Sequence, residues 1–299
     1  MSMAIALWIA ARIRGSRIVF NVQDLHPDAA IALGLVRGSL LIRFLRRVER
    51  WAYSRADALA VICEGFREHC VSRGADSSRV VVIPNWIDLD EVVPLRGPSK
   101  FRTELGISPS DFVVLYAGTI GLVSGAGIVV DVARRLRSFP DVKFVFVGDG
   151  PLLGELSRVA AEGALTGVKF LPFQDRALLS EVQGLADVSL VTLLAGHGRT
   201  SVPSKMLGYM AAARAIVASV DANSETARMV AESGCGIVVP PEDPEALAAG
   251  ILQLREDRRA TGLMGMSGRE YLGREMGKQV AMSRYQRLFE AQGVAFVQQ

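Results

Sequence analysis

The densest chemistry in the sequence lies in Gly196-His197-Gly198-Arg199-Thr200-Ser201-Val202-Pro203-Ser204-Lys205, directly ahead of a helical pattern that begins near Ser204. A helix start carrying a serine and a lysine, with an arginine just upstream, combines hydroxyls, unpaired backbone N–H groups and two cations, which suits a diphosphate. A capped helix with solvated Arg199 and Lys205 gives the same pattern, so both readings stand on these residues alone. Two glycine loops follow strand-like runs: Ala117-Gly118-Thr119-Ile120-Gly121, continuing to Gly127, and Gly148-Asp149-Gly150-Pro151. Glycine there lets backbone approach a phosphate closely, although neither loop is a GxGxxG or Walker sequence. Asp24, in Asn21-Val22-Gln23-Asp24-Leu25-His26-Pro27-Asp28, follows another strand and either caps the next helix or serves a ligand. Asn85 and Asp88 suit a turn, His69 a helix surface, and His197 an exposed, mobile position between glycines.

Three cysteines (Cys63, Cys70, Cys235) without a CxxC pair and three scattered histidines give no metal-ligand spacing and no disulfide framework. We therefore expect no metal, and a reducing cytoplasm as the home. The 299 residues carry 34 Lys and Arg against 31 Asp and Glu, a net charge of +3 too small for a dedicated nucleic-acid binder. The excess is concentrated early: residues 1–55 hold 9 basic and 3 acidic side chains. Within Arg37–Arg55, six arginines surround Leu40, Leu41, Phe44, Leu45, Val48 and Trp51. Positions 41, 44, 45, 48 and 51 fall on one helical face. Such a helix can lie on anionic lipid; a core-facing stripe under a solvated arginine face is the reading we favour from sequence. The apolar run Met3–Ala11 is too short to span a bilayer.

The elements that must position these groups alternate. Short β-branched runs predict strands at Arg17–Val22, Ala58–Ile62, Val80–Ile83, Phe112–Tyr116, Val142–Val147, Val168–Leu171, Val188–Thr192, Ala215–Ala218 and Gly236–Val238. Helical patterns fill the gaps, which predicts parallel α/β sheets. The proline-rich stretch Asn85–Ser110 reads as a linker. It separates a first domain over 1–95 from a second over 96–277, with 278–299 forming a helix that crosses back to the first. A full doubly wound unit has about six strands, so the first domain is half built.

The chain resembles glycosyltransferase family 4, the GT-B-fold sugar transferases, and within it the branch that builds capsule, exopolysaccharide and O-antigen. The stretches that carry the likeness are Val22–Asp28, Ala56-Asp57-Ala58, Ile83-Pro84-Asn85-Trp86-Ile87-Asp88, Tyr116–Gly121, Val147–Gly150, Ala186-Asp187-Val188, Val202-Pro203-Ser204-Lys205 and Tyr209–Ala212. They run in family order over nearly the whole chain. The resemblance implies two Rossmann-like domains, the second binding a nucleotide-sugar, and implies that about the first hundred residues of such proteins are absent here. It implies a metal-free, retaining transfer in which cations and backbone N–H groups stabilise the leaving diphosphate.

The departures from the family matter. Many relatives carry two glutamates eight residues apart, the second holding the donor ribose; Thr200 and Gly208 stand at those positions. The glycine and proline that usually follow are Ala213 and Ala215, a diphosphate-clamping Arg and Lys fall at Thr119 and Ser124, and a frequent His-Asp is Gln23-Asp24. The resulting expectation is transfer of a hexose, N-acetylated or deoxy, from a UDP-linked donor to a lipid-linked or glycan acceptor at the inner face of the cytoplasmic membrane. No cofactor beyond that substrate is expected. Lys205, Arg199 and Asp24 are the catalytic candidates. Gly118, Thr119, Gly121, Gly148, Asp149, Phe173, Ser204 and Gly208 are the substrate-binding ones. A non-catalytic remnant that binds nucleotide-sugar or a partner enzyme, and a sugar-nucleotide epimerase of the same build, are the alternatives.

Overall fold

The computed structural model describes residues 2–32, 34–198 and 202–294. The chain forms two compact units, Met1–Trp86 with Lys278–Gln299, and Ile87–Gly277.

In the first unit, strands β1 (Val19–Val22), β2 (Ala58–Val61) and β3 (Val80–Val82) form a parallel sheet in sequence order. Residues of β2 are buried throughout. Leu288, from the helix Lys278–Ala291, packs with Ala58, Ala60 and Ile83. The apolar amino-terminal run is a helix, Ser2–Arg14, followed by helices Ser39–Arg55 and Glu64–Ser72. The core-facing stripe expected for Ser39–Arg55 is not the face that is buried: Glu49, Ala52 and Tyr53 are buried, while Leu41 and Phe44 are exposed. The reason is electrostatic as well as apolar, because the Glu49 carboxylate takes a 3.0 Å contact from His69 Nε2, with Arg73 Nε at 3.8 Å. His69 is thus a partner of a buried acid and not a surface residue.

In the second unit, β4 (Phe112–Ala117), β5 (Val142–Val147), β6 (Val168–Leu171), β7 (Val188–Thr192), β8 (Ala215–Ser219) and β9 (Gly236–Val239) form one parallel sheet in the order β6-β5-β4-β7-β8-β9. This is the doubly wound order, with the chain reversing direction across the sheet between β4 and β7. The strands β4, β7 and β8 are buried along their whole length, as strands covered on both faces must be. Val113, Leu115, Val145 and Val191 pack on one side with the helix Lys205–Ala211. Val114, Tyr116, Phe144, Leu190 and Val217 pack on the other.

The stretch read as a linker belongs to this unit. Val92, Phe101 and Ile107 are buried in its core, and Arg102 Nη2 donates to Asp187 Oδ2 at 2.6 Å. The prolines there shape a packed loop and do not free it. The two Ala-Asp motifs serve one purpose in the two units. Asp57 Oδ2 accepts from Ile18 N at 2.8 Å at the entry to β1, and Asp187 Oδ2 accepts from Val113 N at 2.7 Å at the entry to β4. In each case a carboxylate at the start of one strand satisfies a backbone donor at the start of its neighbour.

The loops at the carboxyl ends of β4 and β5 are bound backbone to backbone. Gly118 N donates to Val147 O at 2.8 Å, and Ile120 N to Asp149 O at 2.8 Å. Gly148 has φ +147°, and a Cβ there would lie 2.1 Å from Gly118 O. Both facts demand glycine at position 148. Gly148→Ala should therefore cost the protein about 3 kcal/mol, read as a fall in Tm of about 6–12 °C; an unchanged Tm would show that the two loops are not held this closely.

Candidate functional site

In doubly wound sheets ligands bind beyond the carboxyl ends of the strands where the strand order reverses. A cavity of about 490 Å³ opens there in the second unit, beside the loops that leave β4 and β7. That volume suits a small organic ligand.

The floor of the cavity is built by residues that spend their polar groups on one another. Tyr209 in the helix Lys205–Ala211 clamps the end of β4: its hydroxyl accepts from Ala117 N at 2.8 Å and donates to Ala117 O at 3.0 Å. Full burial pushes the Tyr209 phenol far up from its ordinary pKa. Tyr116 donates to Thr119 O at 3.0 Å, Ser124 Oγ to Gly121 O at 2.6 Å, and Thr192 Oγ1 to Ser124 O. These bonds fix the path of the loop 118–125 and commit the hydroxyl of Ser124.

Lys205 is the exception. Its Nζ is buried and has no hydrogen-bond partner among the described residues. It lies 3.6 Å from the centroid of the Tyr116 ring, a cation–π contact. Its stem passes Gly118, where a Cβ would stand 3.4 Å from Lys205 Cε and where φ is +127°. Burial lowers the Lys205 pKa to about 7, because taking an ammonium out of water favours its neutral form. An amine so placed is short of counter-charge, and the cavity it lines is open to a ligand that supplies one.

The structure brings Gly118, Thr119, Gly121, Phe173, Ser204, Lys205 and Gly208 together on this cavity. Thr119 and Phe173 are exposed at its mouth. Gly148 stands behind Gly118, and Asp149 Oδ1 accepts from Gly150 N at 2.7 Å, so both shape the loop from outside the lining. The helix Lys205–Ala211 has seven residues, and two of its first N–H groups are already used: Met206 N donates to Pro203 O and Leu207 N to Ser204 O. The side-chain cation, more than the helix end, therefore carries the positive charge. Arg199 and Thr200 lie outside the described residues. Asp24 is exposed just beyond β1 in the first unit.

Gln183, Gln174 and Thr192 also line the cavity and were not singled out in the sequence, and Ser124, noted there only as the place of a family lysine, lines it too. Ser124 and Thr192 come with the loop and strand already identified. Gln183 sits in the helix Leu179–Gly184 between buried Val182 and Gly184, and a polar residue at a buried helical position was the signal available.

Two family models match the chain: "Glycosyl transferases group 1" over residues 111–257, and "Glycosyl transferase 4-like domain" over residues 1–86. The two models together match 233 of the 299 residues, and the chain belongs to the glycosyltransferases. WcaI of Escherichia coli, whose name assigns it to colanic acid biosynthesis as a glycosyl transferase, is 28% identical over 251 residues, covering 82% of this chain and 61% of that protein. WbjE of Pseudomonas aeruginosa, a glycosyltransferase by name, is 30% identical over 245 residues, covering 81% of this chain and 60% of that protein. The chain thus spans about three-fifths of the length of these relatives. Among solved structures, Anabaena HepE in complex with UDP superposes with a TM-score of 0.79 at 18% identity, over 98% of this chain and 76% of that one. The fold is that of the GT-B glycosyltransferases.

Proposed function

We propose that this glycosyltransferase moves a hexose, N-acetylated or deoxy, from a UDP-linked donor to a lipid-linked or glycan acceptor in cell-surface polysaccharide synthesis, with retention of anomeric configuration. The observation that carries the reading is the unpartnered amine of Lys205 in the cavity where the strand order reverses. A diphosphate brings the negative charge this amine lacks. As the bond from the anomeric carbon to the diphosphate oxygen breaks, charge accumulates on the leaving group. A cation already desolvated and fixed stabilises that charge with little reorganisation. Arg199 is the second cation of this reading, Ser204 and the backbone of Gly118–Gly121 add hydrogen bonds, and Thr119, Phe173 and Gly208 border the donor. Asp24 is assigned to the acceptor side as a polar contact or base. The nucleotide-sugar is a substrate, and the reaction so written uses no separate cofactor.

The donor class is supported by the site's chemistry and by the neighbouring fold of HepE, which was solved with UDP and with UDP-glucose. The polysaccharide context is supported by the name of WcaI.

A peripheral position at the inner face of the cytoplasmic membrane belongs to the same reading. No helix among the described residues is long and apolar enough to cross a membrane. In the first unit, however, Leu35, Leu40, Leu41 and Phe44 are 48–76% exposed, with Arg37, Arg43 and Arg47 exposed among them. Apolar side chains that enter the headgroup boundary beside arginines that meet anionic lipid are the signature of an interfacial helix.

Two outcomes are expected. Lys205→Met, which keeps the side-chain length and removes the charge, should cut transfer from UDP-hexose by about 10²-fold or more with a Tm no lower than that of the parent; an unchanged rate would remove Lys205 from the reaction. In vesicle sedimentation the protein should bind vesicles containing phosphatidylglycerol and not vesicles of phosphatidylcholine alone, and the double variant Leu40→Asn/Phe44→Asn should stay in the supernatant. Equal binding by the variant would contradict this surface as the contact.

A further inference from the structure

Two buried polar atoms of residues that line the cavity have no hydrogen-bond partner among the described residues: Lys205 Nζ and Gln183 Oε1. The first wants an anion. The second is a neutral acceptor, and its residue is only 5% exposed. Buried polar groups in folded proteins are hydrogen-bonded in the great majority of cases, and leaving one unmade costs about 1–3 kcal/mol. Two of the hydroxyls on the same cavity, those of Ser124 and Thr192, already donate to backbone carbonyls.

The Gln183 amide packs against Gly208. A Cβ at position 208 would lie 3.3 Å from Gln183 Nε2. Gly208 is inside the helix Lys205–Ala211 and is not among the glycines of positive φ, so no backbone conformation demands glycine. Glycine in a helix interior costs about 0.5–1 kcal/mol relative to alanine. What the missing side chain provides is room for the Gln183 amide nitrogen itself. On the far side, Gly184 receives Leu95, whose Cδ1 would stand 2.4 Å from a Cβ there, so this helix is seated tightly against the loop before it.

We infer that Gln183 is a specificity-determining residue whose buried amide oxygen accepts a hydrogen bond from a hydroxyl of the nucleotide-sugar. The inference rests on the donor-site reading above. A cation and a neutral acceptor on one cavity match a ligand whose phosphate adjoins a polyol. Such a polyol is the pentose on one side of the diphosphate and the hexose on the other. A site built to pair with a hydroxyl rejects a ligand that lacks it, because the buried acceptor is then stranded again.

The test is calorimetric binding of UDP, 2′-deoxy-UDP and UDP-glucose to the full chain and to Gln183→Met, which keeps the volume and removes the acceptor. Removing an unpartnered buried amide leaves Tm equal or higher, a readout that a merely structural glutamine would move downward. Gln183→Met should bind about tenfold more weakly to UDP if the hydroxyl is the ribose's, and should lose the parent's preference for UDP over 2′-deoxy-UDP if it is the 2′ one. A loss confined to UDP-glucose assigns it to the hexose. Gly208→Ala, which sets a methyl against the amide, should reproduce whichever loss is seen. Parent-like affinity of Gln183→Met for all three ligands overturns the inference while leaving the donor site standing. A parent protein that binds none of them removes both.

Discussion

The charge of Lys205 is held where water does not reach it, and most of the second unit's local architecture serves that placement. The amine lies over the Tyr116 ring and beside the α-carbon of Gly118. Tyr116 is fixed because its strand is buried on both faces and its hydroxyl is bonded to the loop it precedes. Gly118 is fixed because the backbone at Gly148 presses on it from the next loop, closer than any side chain would allow. Tyr209, one turn beyond Lys205, ties the lysine's own helix to the last residue of β4. A desolvated ammonium is costly; the Tyr116 ring offsets part of that cost, and the proposed diphosphate would supply the counter-charge.

The position follows from topology. Between β4 and β7 the connections leave the sheet in opposite directions, which opens a crevice at the carboxyl edge. The cavity is therefore lined from segments remote in sequence, among them the loops after β4 and β6, the end of β7, the helix Leu179–Gly184 and the helix Lys205–Ala211. The polar groups that shape the walls are consumed internally. Those left over, an amine and an amide oxygen, define what the cavity can recognise.

Much of this was legible in the sequence. All nine strands fall where β-branched runs place them, because strands buried on both faces leave little room for polar residues. Gly118 and Lys205 were legible because positive φ and unbalanced charge restrict residue type. The stretch 85–110 was misread, since prolines mark packed loops as well as free ones; only Val92, Phe101 and Ile107, spaced without regular period, carried the opposite message. The helix Ser39–Arg55 was misread because a period-3.6 stripe says that apolar residues share a face and not what that face meets. Buried Glu49 with His69 turned it the other way. Gln183 could not be ranked from sequence: its significance comes from the fold, which packs it against Gly208, twenty-five residues later, and leaves its amide oxygen without a partner among the described residues.

The most direct test is the titration of Lys205 followed by NMR in protein labelled at the side chains of its five lysines. In the free protein one resonance should titrate near 7, well below the ordinary lysine range, and should be absent from Lys205→Met. Saturating UDP should move that midpoint upward, because an adjacent diphosphate favours the ammonium over the amine. A midpoint near 10 in the free protein, or one that UDP leaves in place, would contradict the account.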